Sequence, residues 1–380
     1  MPPKTTLWPL ESHTLGKHLV LQRYLQAWLP VMSTWNGRIL FIDGFAGPGR
    51  YSSGEDGSPI IALKALAMHA SRERITAEVS FVFIEKEEDR ARFLDGLVTQ
   101  LSPELPSSCR VKVINGVFDD TMTSVLDQLD QQAAALAPAF VMVDPFGVAG
   151  PPMSVLARIL RNDRSELYIS FMYEAINRFG ETPEFQAHLD DLFGSPDWRE
   201  CFQIHDPDLG RARLYDLYDR QLRNAGAKYV IHFELFEGHR LVYSIFFATQ
   251  HAAGCSKMKE AVWHIAPFGD YSFRGGTKGQ LTLGLRAVDT SLLRQQLLDE
   301  FAGRGWVTIE EVEVFVRSDR TLFHCGHLKK RTLVPMEDSA LIDVDVSSRS
   351  KQRTYPAGTR LRFRSPPGNA RHHYPVNGSQ

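Results

Sequence analysis

The chain of 380 residues has four cysteines, at positions 109, 201, 255 and 325, and no two of them form a C-x-x-C pair. That scatter excludes an iron–sulfur cluster, a zinc knuckle and a disulfide framework, so no metal site is expected. No apolar run approaches the roughly 20 residues that cross a bilayer, and no membrane is expected as a partner. The opening "MPPKTTLWPLES" lacks the apolar stretch of a signal peptide, which points to a cytoplasmic protein. Internal repeats are also missing. The rest is ordinary: 43% hydrophobic and 23% charged residues describe a globular chain with room for one large domain and a smaller one.

Charge of one sign is scarce only locally. The net charge is −2, yet Arg320 to Gln380 holds 11 Lys and Arg against 4 Asp and Glu, while the remainder holds 32 against 41. A basic end of this kind either meets an anionic partner or is a solvated tail.

Apolar spacing predicts a helix over 13–32, then strict alternation of strands and helices. Strands are expected at 38–43, 78–85, 110–115, 139–144 and 166–171, with helices between them. Ser58 is expected to cap the helix of "SPIIALKALAMHA", with Pro59 in its first turn. Such alternation builds a parallel sheet with helices on both faces, an α/β fold of Rossmann-like type. Two runs at 227–236 and 241–250, joined by "EGHR", read as an antiparallel hairpin. A helical insertion spans about 172–226. After it, "TSLLRQQLLDEFAGRGW", "TIEEVEVFVRSD" and "HLKKRTLVPMEDSALI" read as three helices and "DVDVSS" and "TRLRFRS" as two strands, a winged-helix pattern. The expected division is an N-terminal helical segment at 1–36, a main domain at 37–286, a winged-helix-like domain at 287–365 and a disordered tail at 366–380.

"FIDGFAGPGRY" (41–51) leaves the first strand through an acid and then spends three glycines in six residues, as a backbone does when it passes close to a ligand. A P-loop would need lysine and a hydroxyl after Gly49, where Arg50 and Tyr51 stand. A dinucleotide site would need a third glycine, and Asp43 would repel a pyrophosphate. S-adenosylmethionine (SAM) has no phosphate and carries a sulfonium cation, which suits an acid followed by close-approaching backbone. The expected cofactor residues are Asp43, Gly44, Phe45, Ala46, Gly47 and Gly49 from this turn and Glu85 from the second strand tip. Glu85 would accept ribose hydroxyls, Val117 or Phe118 would stack on adenine, and Asp119 would bond its amino group. Asp144, at the fourth strand tip, faces the same crevice. A single acid at a strand tip is often a helix cap; four in succession at one sheet edge are harder to explain structurally.

An alternating domain closed by a hairpin is the layout of class I SAM methyltransferases. The segments "HTLGKH…YLQAW", "FIDGFAGPGRY…GSP", "DPFG" and "LVYSIFFATQHAAGCSKMKEAVWHI", with the terminal winged-helix pattern, resemble the three-Cys-motif partner family over most of the chain. The resemblance implies a SAM-dependent methyltransferase fold and a neighbouring three-Cys-motif protein as partner. "DPFG" also resembles the D/N-P-P-Y loop of amino methyltransferases, which implies acceptor orientation by Asp144 and the Pro145 carbonyl and stacking by Phe146. The second proline and the terminal aromatic are absent, and the motif can equally be a turn that ends a strand.

Candidate substrate contacts are His13 and Lys17 on one helical face, Arg50 and Tyr51 after the glycine turn, Lys257 after the hairpin, and Lys329, Lys330 and Arg331 in the basic end. His13 and Lys17 are also readable as a solvated helix start, Lys257 as a surface lysine and the basic end as a solvated tail. The leading function is a SAM-dependent methyltransferase acting on an RNA or DNA base. A noncatalytic SAM-binding partner protein and a small-molecule methyltransferase of secondary metabolism remain open.

Overall fold

A computed structural model of the chain describes residues 5–145, 150–180, 182–237, 240–266 and 288–364, without the side chains of residues 12, 13, 179, 237, 240, 242 and 243. Two compact units divide it, Met1–Leu285 and Arg286–Gln380.

The first unit begins with helix α1 (Ser12–Trp35) and then alternates. Its elements are β1 (Arg38–Asp43), α2 (Ser58–Ala67), β2 (Glu78–Glu85), α3 (Glu88–Leu101), β3 (Cys109–Asn115), α4 (Phe118–Gln131), β4 (Ala139–Val143), α5 (Met153–Leu160) and β5 (Glu166–Phe171). Helices α6 (Tyr173–Phe179), α7 (Pro183–Phe193), α8 (Trp198–Phe202) and α9 (Pro207–Asn224) form the insertion. The hairpin β6 (Tyr229–Glu237) and β7 (Arg240–Thr249) and helix α10 (Ala252–Ile265) complete the unit.

The seven strands lie in the order β3-β2-β1-β4-β5-β7-β6. β1 to β5 run parallel, and β7 runs antiparallel to both neighbours. This is the Rossmann-like sheet expected from the alternation. Its centre explains the sequence there: every residue of β4 and β5 is buried, so "AFVMV" is apolar on both faces. Alternate side chains serve opposite cores. Phe41 stacks on Phe140 at 5.6 Å beneath Tyr24 and Trp28 of α1, while Ile42, Val141 and Ile169 join the core with α4, α5 and α9.

Pro30 sits inside α1 and has no N–H for the Gln26 carbonyl. The His69 ring supplies the donor instead, with Nε2 2.9 Å from that oxygen. Two hydroxyls hold the helix along β5: Tyr168 donates to the Lys17 carbonyl at 3.3 Å and Tyr24 donates to Glu166 at 2.6 Å. Because Lys17 and Tyr24 are two turns apart, α1 spans the sheet from one strand edge to the other.

The second unit contains α11 (Ser291–Phe301), β8 (Trp306–Thr308), α12 (Ile309–Arg317), α13 (Cys325–Leu328), α14 (Val334–Asp338), β9 (Ile342–Val344) and β10 (Arg360–Phe363). The antiparallel sheet runs β8-β10-β9. Trp306, expected at the end of a helix, stands in a strand that periodicity over three residues could not reveal. "DVDVSS" is strand only to Val344 and then turns. "KKRTL", expected within a continuous helix, is a π-turn between α13 and α14. Pro335 removes the donor for the Arg331 carbonyl, and Thr290 Oγ1 donates to that oxygen at 2.9 Å. The disordered-tail expectation lies outside the described residues.

Candidate functional site

The parallel strands β1 to β4 end on one edge, and their tips surround a crevice of about 240 Å³. Gly44, Phe45, Glu85, Gly116, Val117, Phe118, Asp119 and Pro145 line it. A smaller hollow of about 40 Å³ shares Phe45 as a wall and reaches Trp8, His18, Gly47, Tyr51, Ser58 and Asp144. This is the carboxyl edge, where open parallel sheets hold ligands.

Asp43 is fully buried at the tip of β1. Its Oδ1 accepts from the Phe45 amide at 3.2 Å, and Oδ2 receives no well-formed hydrogen bond. Burial pushes its pKa up to about 7, although the Ser58 hydroxyl nearby and the Phe45 amide work against that rise. Ser58 was expected as a helix cap. Gly57 is the cap residue, and Ser58 enters the first turn of α2 facing Asp43.

Glu85 is buried and bridges two pieces of backbone. Oε2 accepts from the Gly47 amide and Oε1 from the Glu87 amide, both at 2.8 Å. It therefore shapes the glycine turn and the entry to α3, while each oxygen keeps a lone pair for a further donor. Asp119 is half-buried with Oδ1 unpartnered, and burial together with Asp120 and Asp191 raises its pKa to about 6.

The glycines divide their work. At Gly47 the backbone has φ +61° and an added Cβ would stand 3.5 Å from Trp8. At Gly49 φ is +77°, and a Cβ would collide with Leu94 Cδ1 at 2.6 Å. Gly49 thus lets α3 pack against the turn, where the sequence suggested room for a ligand. Gly44 gives way to the Phe118 ring, which would be 2.3 Å from a Cβ. Phe118 itself is buried in the first turn of α4 against Phe45, so the more exposed Val117 is better placed to meet a ring in the crevice.

Asp144 forms an ion pair with Lys17, which is only 4% exposed. Burial works against the Asp144 charge, but Lys17 beside it outweighs that and holds its pKa below the usual range. His18, absent from the sequence reading, is buried next to the pair. Burial and Lys17 push its pKa down to about 3, so the ring is neutral. Tyr51 packs against Trp8 and His18, and Arg50 pairs with Asp56 at 3.6 Å. Arg90, over the Trp8 ring at 4.9 Å, also lines the crevice and was missed. No spacing rule marks His18 or Arg90, because tertiary packing alone brings them to this edge.

Lys257 needs correction as a contact of this crevice. Because β7 runs antiparallel, its end delivers α10 to the opposite sheet edge, where Lys257 pairs with Glu260 at 2.8 Å. Lys329, Lys330 and Arg331 belong to the second unit; Lys329 pairs with Glu313 at 3.0 Å. Phe146 and the His13 side chain lie outside the described residues.

No family model matches the chain, and no curated protein matches it. Solved structures similar to it include methyltransferases. An O-methyltransferase from Bacillus cereus in complex with SAH has TM-score 0.31 and 16% identity, covering 60% of this chain and 80% of that one. A DszA carbon methyltransferase gives 0.33 and 14%, covering 57% and 48%. The METTL16 MTase domain gives 0.30 and 14%, covering 59% and 66%. Overlaps this low carry no argument about activity, and the fold assignment rests on the strand order. Among the described residues no helix is long and apolar enough to cross a membrane.

Proposed function

We propose that the chain is a class I SAM-dependent methyltransferase that acts on nucleic acid, in line with its resemblance to the three-Cys-motif partner family. The observation that carries the cofactor half is the set of acids Asp43, Glu85, Asp119 and Asp144, at or just beyond the ends of four parallel strands on one sheet edge, where Glu85 and Asp119 line the crevice and Asp144 the hollow beside it. Two of them present oxygens that receive no well-formed hydrogen bond, Asp43 Oδ2 and Asp119 Oδ1. An unpartnered buried acceptor is costly, and SAM offers donors for both: its ammonium for Asp43 and its adenine amino group for Asp119. The bound cofactor would supply a methyl group activated by sulfonium. The chain's own part is to bind, orient and desolvate. Asp144, ionised and held by Lys17, is suited to orienting an acceptor hydrogen through its remaining lone pairs and is poorly suited to removing a proton.

The nucleic-acid half rests on the second unit. Its order of helix, strand, three short helices and two strands suits a winged helix. Lys330 and Arg331 are exposed there, and Arg360 and Arg362 flank the exposed Trp306 ring at 5.8 and 5.2 Å. Cations interleaved with an aromatic fit a phosphate backbone with unstacked bases. A three-Cys-motif protein as partner and a cytoplasmic location follow from the resemblance and the cysteine usage, and are part of the same proposal.

Mass spectrometry of the purified protein for co-bound SAM or SAH tests the cofactor. Transfer of a labelled methyl group from SAM to total RNA, DNA and small molecules tests the acceptor. Label in RNA or DNA is expected. Label confined to small molecules would replace the acceptor class, and tight SAM binding with no transfer to any pool would make this a noncatalytic partner.

A further inference from the structure

On the sheet edge opposite the crevice lies a second cavity, of about 410 Å³, between the C-terminal half of α1 and the first turns of α10. Its walls are mainly apolar, with Trp28, Val31, Met32 and Trp35 from α1. Trp35 is 75% exposed and Val31 42%, so the mouth of the cavity is itself hydrophobic. At its floor stands a carboxylate, Glu166, the first residue of β5 and only 4% exposed.

Glu166 is held by neutral donors. Tyr24 Oη donates to Oε2 at 2.6 Å and Thr249 Oγ1 donates to Oε1 at 3.0 Å. The buried Trp28 indole N–H makes no well-formed hydrogen bond, although it lies close enough to favour the charged form of Glu166. Gly254 keeps the space open, since a Cβ there would stand 2.2 Å from Oε1. Among the described residues no cation pairs with Glu166. The basic groups of the rim face elsewhere: Arg164 to the Asn36 oxygen at 2.7 Å, Lys257 to Glu260 at 2.8 Å and the His251 ring to Asp163 at 3.3 Å.

A buried carboxylate without a cation is expensive, and burial raises the pKa of Glu166 to about 7. Structural acids at strand ends are normally placed in water or paired. Here the acid terminates an accessible apolar hollow of ligand size, the arrangement that marks binding sites. We infer that this cavity binds a small organic cation, an ammonium carried on an aromatic or aliphatic body. The ammonium would meet Glu166, and the body would lie among Trp28, Val31 and Trp35, whose indoles also attract cations. The site is on the far strand edge from the crevice, so its ligand is not the methyl acceptor, and the inference does not depend on how the crevice is read.

Calorimetry on the full-length protein tests it, with tryptamine as the probe and indole-3-propanoate, of similar body and opposite charge, as the control. Tryptamine should bind one to one and the propanoate should not. Glu166→Gln keeps the shape and removes the charge, and should weaken tryptamine by about tenfold or more. Ala27 of α1 also lines the hollow, so Ala27→Trp fills it while leaving Glu166 in place and should abolish binding; thermal melting of both variants checks the fold. The inference is overturned if tryptamine gives no heat up to about 5 mM, if the propanoate binds as well, or if Glu166→Gln binds tryptamine unchanged. Should Glu166→Gln fail to fold, the charge preference of the wild-type protein and the Ala27→Trp result decide the matter.

Discussion

Lys17 Nζ meets Asp144 Oδ2 across 127 residues of sequence, tying the first turns of α1 to the tip of β4. Lys17 is nearly inaccessible, whereas about a quarter of the Asp144 side chain, 24%, meets solvent. Asp144 also lines the smaller hollow, so the pair is both a clasp for α1 and part of that hollow's wall.

Removing one partner should cost more than removing both. Lys17→Met leaves Asp144 charged and uncompensated, and a loss of about 1–3 kcal/mol is expected after allowing for the solvent that reaches Asp144. Asp144→Asn should strand Lys17 to a similar extent. The double variant should recover much of the loss, because an apolar–amide pair has no charge to bury. Urea unfolding of the four proteins measures the coupling. Additive losses would show that the two side chains do not act as a pair.

Asp43 should make cofactor affinity depend on pH. Its folded pKa of about 7 lies above the unfolded value near 3.9. In the free protein its contribution to stability is therefore fully present below about pH 4 and is lost as pH rises through 7. A bound ammonium favours the ionised form, so SAM should bind more tightly at pH 7.5 than at pH 5.5. Asp43→Asn should flatten both profiles. A SAM affinity that stays constant over this range in the wild-type protein would remove Asp43 as the partner of the ammonium.

Glu85 supports the glycine turn as well as any ligand. Glu85→Ala orphans the buried Gly47 amide, at a cost of about 1–3 kcal/mol, and releases the Glu87 amide, which lies at an exposed residue where water can replace the carboxylate. Melting temperature and SAM affinity should fall together. Glu85→Gln keeps one acceptor and should lose less of both. An alanine variant with unchanged melting temperature would mean that the two backbone contacts contribute nothing.

Gly47 and Gly49, both left-handed in the turn after β1, should respond differently. Gly49→Ala meets both φ +77° and Leu94 at 2.6 Å, so it should lower stability by more than the about 1–2 kcal/mol of backbone strain alone. Gly47→Ala has only the strain, with its Cβ 3.5 Å from Trp8. Thermal melting ranks them; equal losses would show that Leu94 yields without cost.

The sheet was legible because each strand is a buried run between turn residues and each helix keeps its period, so β1, β2 and β5 begin and end where the sequence placed them. The acids at the strand tips were legible for the same reason, since a strand end locates its last side chain. Partnership was not. Nothing local in "LGKHLV" says that Lys17 will find Asp144 or that His18 will be buried beside it. The Glu166 cavity was hidden because its floor is an acid at a strand's beginning, where an acid is usually solvated. Lys257 lies away from the crevice because β7 runs back against β5 and carries α10 to the other sheet edge, a reversal that local sequence does not show.

The second unit yields the last test. Lys330 and Arg331 are exposed beside the π-turn, and among the described residues neither side chain has an ion-pair partner, whereas Lys329 is engaged by Glu313. If this face meets a nucleic acid, the two free cations displace counterions from phosphates and Lys329 contributes less. The affinity of the full-length protein for RNA or DNA should then fall steeply with salt, by about 0.7–0.9 in log K per log salt for each phosphate neutralised. Lys330→Gln with Arg331→Gln should weaken binding across all sequences and reduce that slope by about 1.5–2. Lys329→Gln should change the slope by less, which separates direct contact from a general loss of positive charge. SAM affinity should be the same in all of these variants, since they leave the crevice of the first unit untouched. Fluorescence anisotropy at several salt concentrations reads the slopes. Binding that is absent, or indifferent to salt and to these substitutions, would turn the proposal toward a protein partner for this unit.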